Sequence, residues 1–185
     1  MALGSCYLWS VLLSLSHLPS LNACQIGGYD LPPKRDVQWP AREPAGYDSE
    51  RSLVDQFVGC LTAAFAPWGA VQVSREFDYN RGRTDIVALT PNGEVLAFEA
   101  KLTRWKQALD QAYRNRCFAH HSFVLFPKET ALSAYRHEAE FIRRGVGICY
   151  LENDSIVILL NPQPSEPLQP WLTEIASARA SSEVD

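Results

Sequence analysis

Thr84-Asp85-Ile86-Val87-Ala88-Leu89-Thr90-Pro91-Asn92-Gly93-Glu94-Val95-Leu96-Ala97-Phe98-Glu99-Ala100-Lys101 reads as two apolar runs joined by a turn, and this reading decides the fold. Pro91-Asn92-Gly93 supplies the turn, with Gly93 able to take the left-handed position that a tight hairpin needs. Centring the loop on Asn92 sets Leu89 opposite Val95, Val87 opposite Ala97 and Asp85 opposite Glu99. Directly opposed residues on an antiparallel pair have Cβ atoms about 5 Å apart, so the two carboxylates are expected side by side. Lys101, two residues past Glu99, shares their face. Like charges this close repel unless one is protonated or a cation lies between them, and a divalent metal is a common such cation.

An Asp, thirteen intervening residues and then Glu-x-Lys resembles the PD-(D/E)xK nuclease superfamily. An acid-x-Lys triplet alone specifies little, and the hairpin context gives it weight. The chain has four lysines against thirteen arginines, yet a lysine stands where the motif requires one. Thr84 replaces the proline that often precedes the Asp, a common departure in the superfamily. The stretch from Glu99 to Pro127, EAKLTRWKQALDQAYRNRCFAHHSFVLFP, is similar to a branch of small bacterial restriction-like proteins.

The rest of the chain supports an α/β reading. Asp48 or Ser49 is positioned to cap a helix whose apolar residues Leu53, Val54, Phe57, Val58, Leu61, Ala64 and Phe65 follow helical spacing up to Pro67 and Gly69. Residues 70–77 alternate as a strand, 78–82 form a turn, and the hairpin adds two strands. Residues 103–117 read as a helix with Trp105, Ala108, Leu109, Ala112 and Tyr113 on one stripe. Arg116 falls in that stripe, so either the helix frays near Asn115 or the arginine head reaches past the edge into water. Residues 122–126 make a strand that a right-handed crossover sets parallel to 95–101. A helix over about 130–144 and a hairpin of 146–151 with 155–160, turning at Asn153-Asp154, complete the pattern. The resemblance implies a restriction-endonuclease-like αβββαβ core, a mixed central sheet flanked by helices, with an α-β-β addition.

Three regions are expected. Residues 1–46 are a signal-like or mis-assigned extension and a Pro/Gly-rich linker, expected to be disordered; 47–160 form the nuclease-like domain; 161–185 are a proline-rich exit followed by a short helix or frayed tail. Residues 3–24 superficially resemble a secretory or lipoprotein signal ending at Cys24, but no Lys or Arg precedes Lys34 and polar residues interrupt the apolar run. The reading prefers a mis-assigned start, with a cytoplasmic protein and no stable membrane span, over export or a lipid anchor.

With 46% hydrophobic and 21% charged residues, the 185-residue chain can bury one core. Its net charge of -4 argues against a protein that coats nucleic acid indiscriminately. Between Arg75 and Arg116, however, eight basic residues stand against six acidic ones, and a metal on Asp85 and Glu99 would leave this segment positive, suiting a polyanion. The five cysteines are scattered without zinc-site spacing and read as reduced, buried small residues.

The resemblance implies hydrolysis of DNA phosphodiesters by a Mg²⁺ enzyme in which Mn²⁺ can substitute. Asp85 and Glu99 would be metal ligands, the Ala100 carbonyl would complete the protein side, and Lys101 would orient water or stabilise developing charge. Glu50, with Asp55 as fallback, is the candidate acid from the first helix and a further metal ligand, set against a plain first-turn acid on the helix dipole. Gln111, less favourably Gln107, resembles the glutamine of some branches, although an exposed polar face accounts for both. Arg81, Arg83, Arg104 and Arg114 are candidate nucleic-acid contacts; Arg83, opposite Lys101 in the inferred register, instead can sit over the carboxylates. His120 and His121 read as structural, and Tyr113 as core. Two other functions compete: a catalytically silent restriction-like module that binds DNA or protein, and an exported lipoprotein with an accidental motif. A homodimer through the apolar 146–160 hairpin is a further expectation.

Overall fold

The computed structural model describes residues 46–63, 66–80 and 82–182. Its elements run α1 (Glu50–Leu61), β1 (Gln72–Tyr79), β2 (Gly82–Leu89), β3 (Val95–Ala100), α2 (Trp105–Asn115), β4 (His121–Leu125), α3 (Lys128–Tyr135), α4 (Glu138–Arg144), β5 (Val146–Glu152), β6 (Ser155–Leu160) and α5 (Pro170–Ser182). The strands form one six-stranded sheet in sequence order. β1–β2, β2–β3 and β5–β6 pair antiparallel, while β3–β4 and β4–β5 pair parallel across helical crossovers. This mixed α/β arrangement, with α1, β1 to β3, α2 and β4 in order, is compatible with the restriction-endonuclease-like αβββαβ core.

Local chemistry accounts for these elements. Ser49 and Ser52 form a reciprocal capping box at the start of α1. The hairpin turn closes through the Thr90 N–H to the Glu94 carbonyl (2.9 Å) and the Gly93 N–H to the Thr90 carbonyl (2.9 Å), with Gly93 at φ 82°. The register is the expected one, Leu89 opposite Val95 and Val87 opposite Ala97. Asn153 and Asp154, at φ 49° and 56°, make the second hairpin turn with two left-handed residues, the geometry that matches strand twist.

Strand alternation divides the core between two faces. Leu96, Phe98 and Ala100 join Leu53, Phe57 and Leu61 of α1, and the Phe57 and Phe98 rings lie 5.0 Å apart. On the opposite face, Ala108, Leu109 and Phe141 cover Val124 and Ile148, while Leu172, Ala176 and Ala180 of α5 cover Phe77, Val87 and Ala97. Each Phe or Leu buried in this way contributes on the order of 1.5–3 kcal/mol.

Several expectations change. The helix expected over 130–144 is two helices, broken where His137 leaves the helical path (φ -108°, ψ 26°) and stacks on Trp105 at 4.5 Å. α1 ends at Leu61, where the Thr62 hydroxyl donates to the Val58 carbonyl (3.0 Å) and so competes with helix continuation; Ala64 and Phe65 lie outside the described residues. β1 is displaced two residues toward the C-terminus. α2 ends at Asn115 with Arg116 as its C-cap, as one of the two expected alternatives had it, and the Arg116 head does not run out into water: its Nη1 donates to the Arg144 carbonyl (2.7 Å) and so caps α4. The C-terminal segment is a helix, α5, packed on the sheet.

Candidate active site

Asp85 sits where two ladders loosen. Regular β2–β3 pairing stops at Ile86–Phe98, and beyond it the Ala100 N–H donates to the Asp85 Oδ2 at 2.8 Å. On the other side, β1–β2 pairing passes from Arg75–Ile86 to Phe77–Thr84 and skips Glu76 and Asp85. Glu76 takes a left-handed φ of 52°, which breaks the pleat opposite the aspartate. The carboxylate thereby satisfies a backbone donor that the sheet leaves open, and a buried N–H requires such a partner.

Around it the side chains converge on one ammonium. Lys101 Nζ lies 3.2 Å from Glu99 Oε1, 3.2 Å from Glu50 Oε2 and 3.9 Å from Asp85 Oδ2, and donates to the Ala100 carbonyl at 2.8 Å. The Glu99 side chain is 1% exposed, Lys101 12% and Asp85 27%, whereas Glu50 is about half exposed. Burial, then the neighbouring Asp85 charge, pushes Glu99 up to about 7. Asp85 is also raised, mainly by burial, against the pull of the Ala100 N–H and Lys101. Burial disfavours the Lys101 charge, but Glu99, Asp85 and Glu50 outweigh it and hold the ammonium above its ordinary pKa.

The second Glu99 oxygen, Oε2, is buried without a hydrogen-bond partner. A desolvated carboxylate oxygen left bare is costly, and a hard cation is the ligand that would satisfy it. Among the described residues no group of three His, Cys, Asp or Glu side chains is arranged to hold a metal. The donors that could hold an ion are the Asp85 and Glu99 carboxylates and the Ala100 carbonyl, and so small a set would need an ion that retains waters, as Mg²⁺ does.

The other candidates are spread more widely. Asp55 pairs with Arg75. Gln111 lies half-buried on α2, its Oε1 buried and unpartnered, and Gln107 is exposed. Arg83 pairs with Glu76 at 3.8 Å, and its charge is among those that pull the Asp85 pKa down. Arg104, at the start of α2, and Arg114, near its end, are exposed; Arg81 lies outside the described residues. The His120 Nδ1 accepts the Val95 N–H (2.9 Å) and His121 faces Glu94 (3.5 Å), both structural contacts. Tyr113 is 50% exposed and not a core residue, because it sits beside rather than under the stripe that buries Ala108, Leu109, Ala112 and Asn115.

Sequence reasoning missed Asn115. Its Oδ1 accepts from the Thr84 hydroxyl (2.7 Å) and the Tyr79 hydroxyl (2.9 Å), tying α2 to β1 and to the residue preceding Asp85. The signal was present: Asn115 falls seven residues after Ala108, two helical turns along the buried stripe.

No family model and no curated protein matches the chain. Among solved structures, SPO1766, a protein of unknown function from Silicibacter pomeroyi, is similar at 18% identity over 72% of this chain and 85% of its own, with a TM-score of 0.53. Pyrococcus furiosus SfsA in complex with Ca²⁺ is 10% identical over 51% of this chain and 56% of its own, with a TM-score of 0.27. A repair endonuclease from Pyrococcus abyssi is 14% identical over 60% and 50%, with a TM-score of 0.38. The first of these likenesses describes a shared fold; the other two scores are too low to bear on the chemistry of this chain.

Proposed function

We propose that this chain is a Mg²⁺-dependent DNA endonuclease of the PD-(D/E)xK type. The observation that carries the reading is the convergence of Asp85, Glu99 and the Ala100 carbonyl on the Lys101 ammonium, with one Glu99 oxygen left bare. A divalent cation held by those donors would neutralise charge on the phosphate and lower the pKa of attacking water. Lys101, kept protonated by its three carboxylate neighbours, presents an ammonium to the developing negative charge. The Ala100 N–H fixes the Asp85 carboxylate in place, and burial around Glu99 limits competing water. Glu50 anchors Lys101 from α1, which makes it a positioning residue.

One observation favours a second reading. The Lys101 ammonium already bonds Ala100, Glu99 and Glu50, so the lysine has all its partners without a metal, as a silent DNA- or protein-binding module would have it. Cleavage of supercoiled plasmid and labelled single-stranded DNA by the full chain, with Mg²⁺, Mn²⁺ or EDTA, separates the two. The nuclease reading expects metal-dependent cleavage that Asp85→Ala and Lys101→Ala each reduce by at least about a hundredfold. Absent cleavage, or cleavage equal in both variants, supports the silent module.

A further inference from the structure

A cleft of about 880 Å³, within the size range of small-ligand sites, is lined by residues of β1, α2 and the segment that leads into α5. Tyr79, Tyr113, Arg114, Arg116, Ser165 and Trp171 contribute to its walls. Its aromatic side chains are unusual for a surface: Tyr113 is 50% and Trp171 53% exposed, and neither ring packs on another aromatic ring among the described residues. Two buried polar atoms of the same walls, Arg116 Nε and Ser165 Oγ, have no hydrogen-bond partner. Arg114 is exposed and offers a guanidinium for a phosphate, whereas Glu166, also in the wall, disfavours an anion on its own side. The Arg114 Nε donates to the Asp110 carbonyl at 3.3 Å, leaving its exposed Nη groups for a phosphate, and open aromatic faces beside an exposed cation are what an unstacked nucleotide needs.

Tyr79 links one wall of the cleft to the residue before Asp85. The Tyr79 hydroxyl shares the Asn115 Oδ1 with Thr84, the residue before Asp85. Burial raises the Tyr79 phenol to about 12, and the Glu99 charge contributes to that rise, so the two groups are electrostatic neighbours.

We propose that this cleft binds an unstacked nucleotide of a DNA single strand, its base on Tyr113 and Trp171 and its phosphate on Arg114, next to the phosphodiester offered to Asp85 and Glu99. The proposal rests on the nuclease reading for its neighbour and makes single-stranded or locally opened DNA the substrate class.

The test is binding of a fluorescein-labelled 12-mer oligo-dT to the full chain in EDTA, by fluorescence anisotropy, beside Tyr113→Ala and Trp171→Ala with folding checked by circular dichroism. Loss of a base-stacking side chain is expected to weaken binding about tenfold or more in each variant, with free dTMP bound far more weakly than the strand. Unchanged affinity in both variants, no binding of the 12-mer, or dTMP bound as tightly as the 12-mer would overturn the proposal. Because the readout needs no cleavage, the two readings fail separately. Aromatic-dependent binding without metal-dependent cleavage keeps the cleft and removes the nuclease; cleavage lost in Asp85→Ala with strand binding indifferent to the aromatics does the reverse.

Discussion

Glu99 and Lys101 show how a residue pair can be legible while its surroundings are not. Their placement near Asp85 was anticipated by hairpin register, because side chains alternate with a period of two and a turn fixes the pairing, although regular pairing stops at Ile86–Phe98, short of Asp85. The Ala100 N–H bond to Asp85 and the bare Glu99 oxygen depend on where the ladders stop, which no local pattern encodes. Glu99 also makes a pH prediction. Its folded pKa of about 7 exceeds its ordinary 4.5, so it favours the folded state fully below the unfolded value, and that contribution is lost as pH rises through 7. Urea unfolding in EDTA should show stability falling between about pH 5 and 8, by up to a few kcal/mol, and Glu99→Gln should flatten the fall; an unchanged profile in the variant would locate the effect elsewhere. Asn115→Ala strands the Thr84 and Tyr79 hydroxyls, so it is expected to cost about 2–4 kcal/mol in the same assay. A loss below about 0.5 kcal/mol would mean that α2 is not held by this bond pair.

At the scale of elements, two left-handed residues give opposite expectations. Gly145 ends α4 at φ 66°, and an added Cβ would lie 2.9 Å from the Arg116 Cζ. Gly145→Ala should therefore destabilise by about 1–2 kcal/mol. Glu76 holds φ 52° with a side chain on the exposed face of β1, so Glu76→Gly should stabilise by up to about 1 kcal/mol. Equal signs in thermal unfolding would count against the strained backbone opposite Asp85. Gly145 was readable in the sequence as a helix stop. The break between α3 and α4 was not, since no glycine or proline marks it and the contact made there, the Trp105 ring on His137, comes from a residue distant in sequence.

For the whole molecule, strand order was legible because the two hairpins and the parallel crossovers connect strands that lie side by side in the sheet. α5 was harder to read. Its buried Leu172, Ala176 and Ala180 are accompanied by exposed Trp171 and Ile175, so apolar residues surround the helix and no stripe stands out. Removing residues 170–185 would uncover Phe77, Val87 and Ala97, and unfolding measurements should register a loss of about 3 kcal/mol or more; unchanged stability would show that the sheet does not need this cover. The exposed Trp171 is what α5 adds to the cleft, so one helix would both close the core and form part of the substrate surface.

The most direct test of the account is Mn²⁺ binding to the full chain by isothermal titration calorimetry, compared with Asp85→Asn and Glu99→Gln. The account predicts saturable binding by the parent chain that weakens at least about tenfold in each variant, because each removes one of the two carboxylates proposed to hold the ion. No binding by the parent, or equal binding by all three proteins, would contradict it and leave Asp85, Glu99 and Lys101 as an ion cluster that holds the end of the hairpin together.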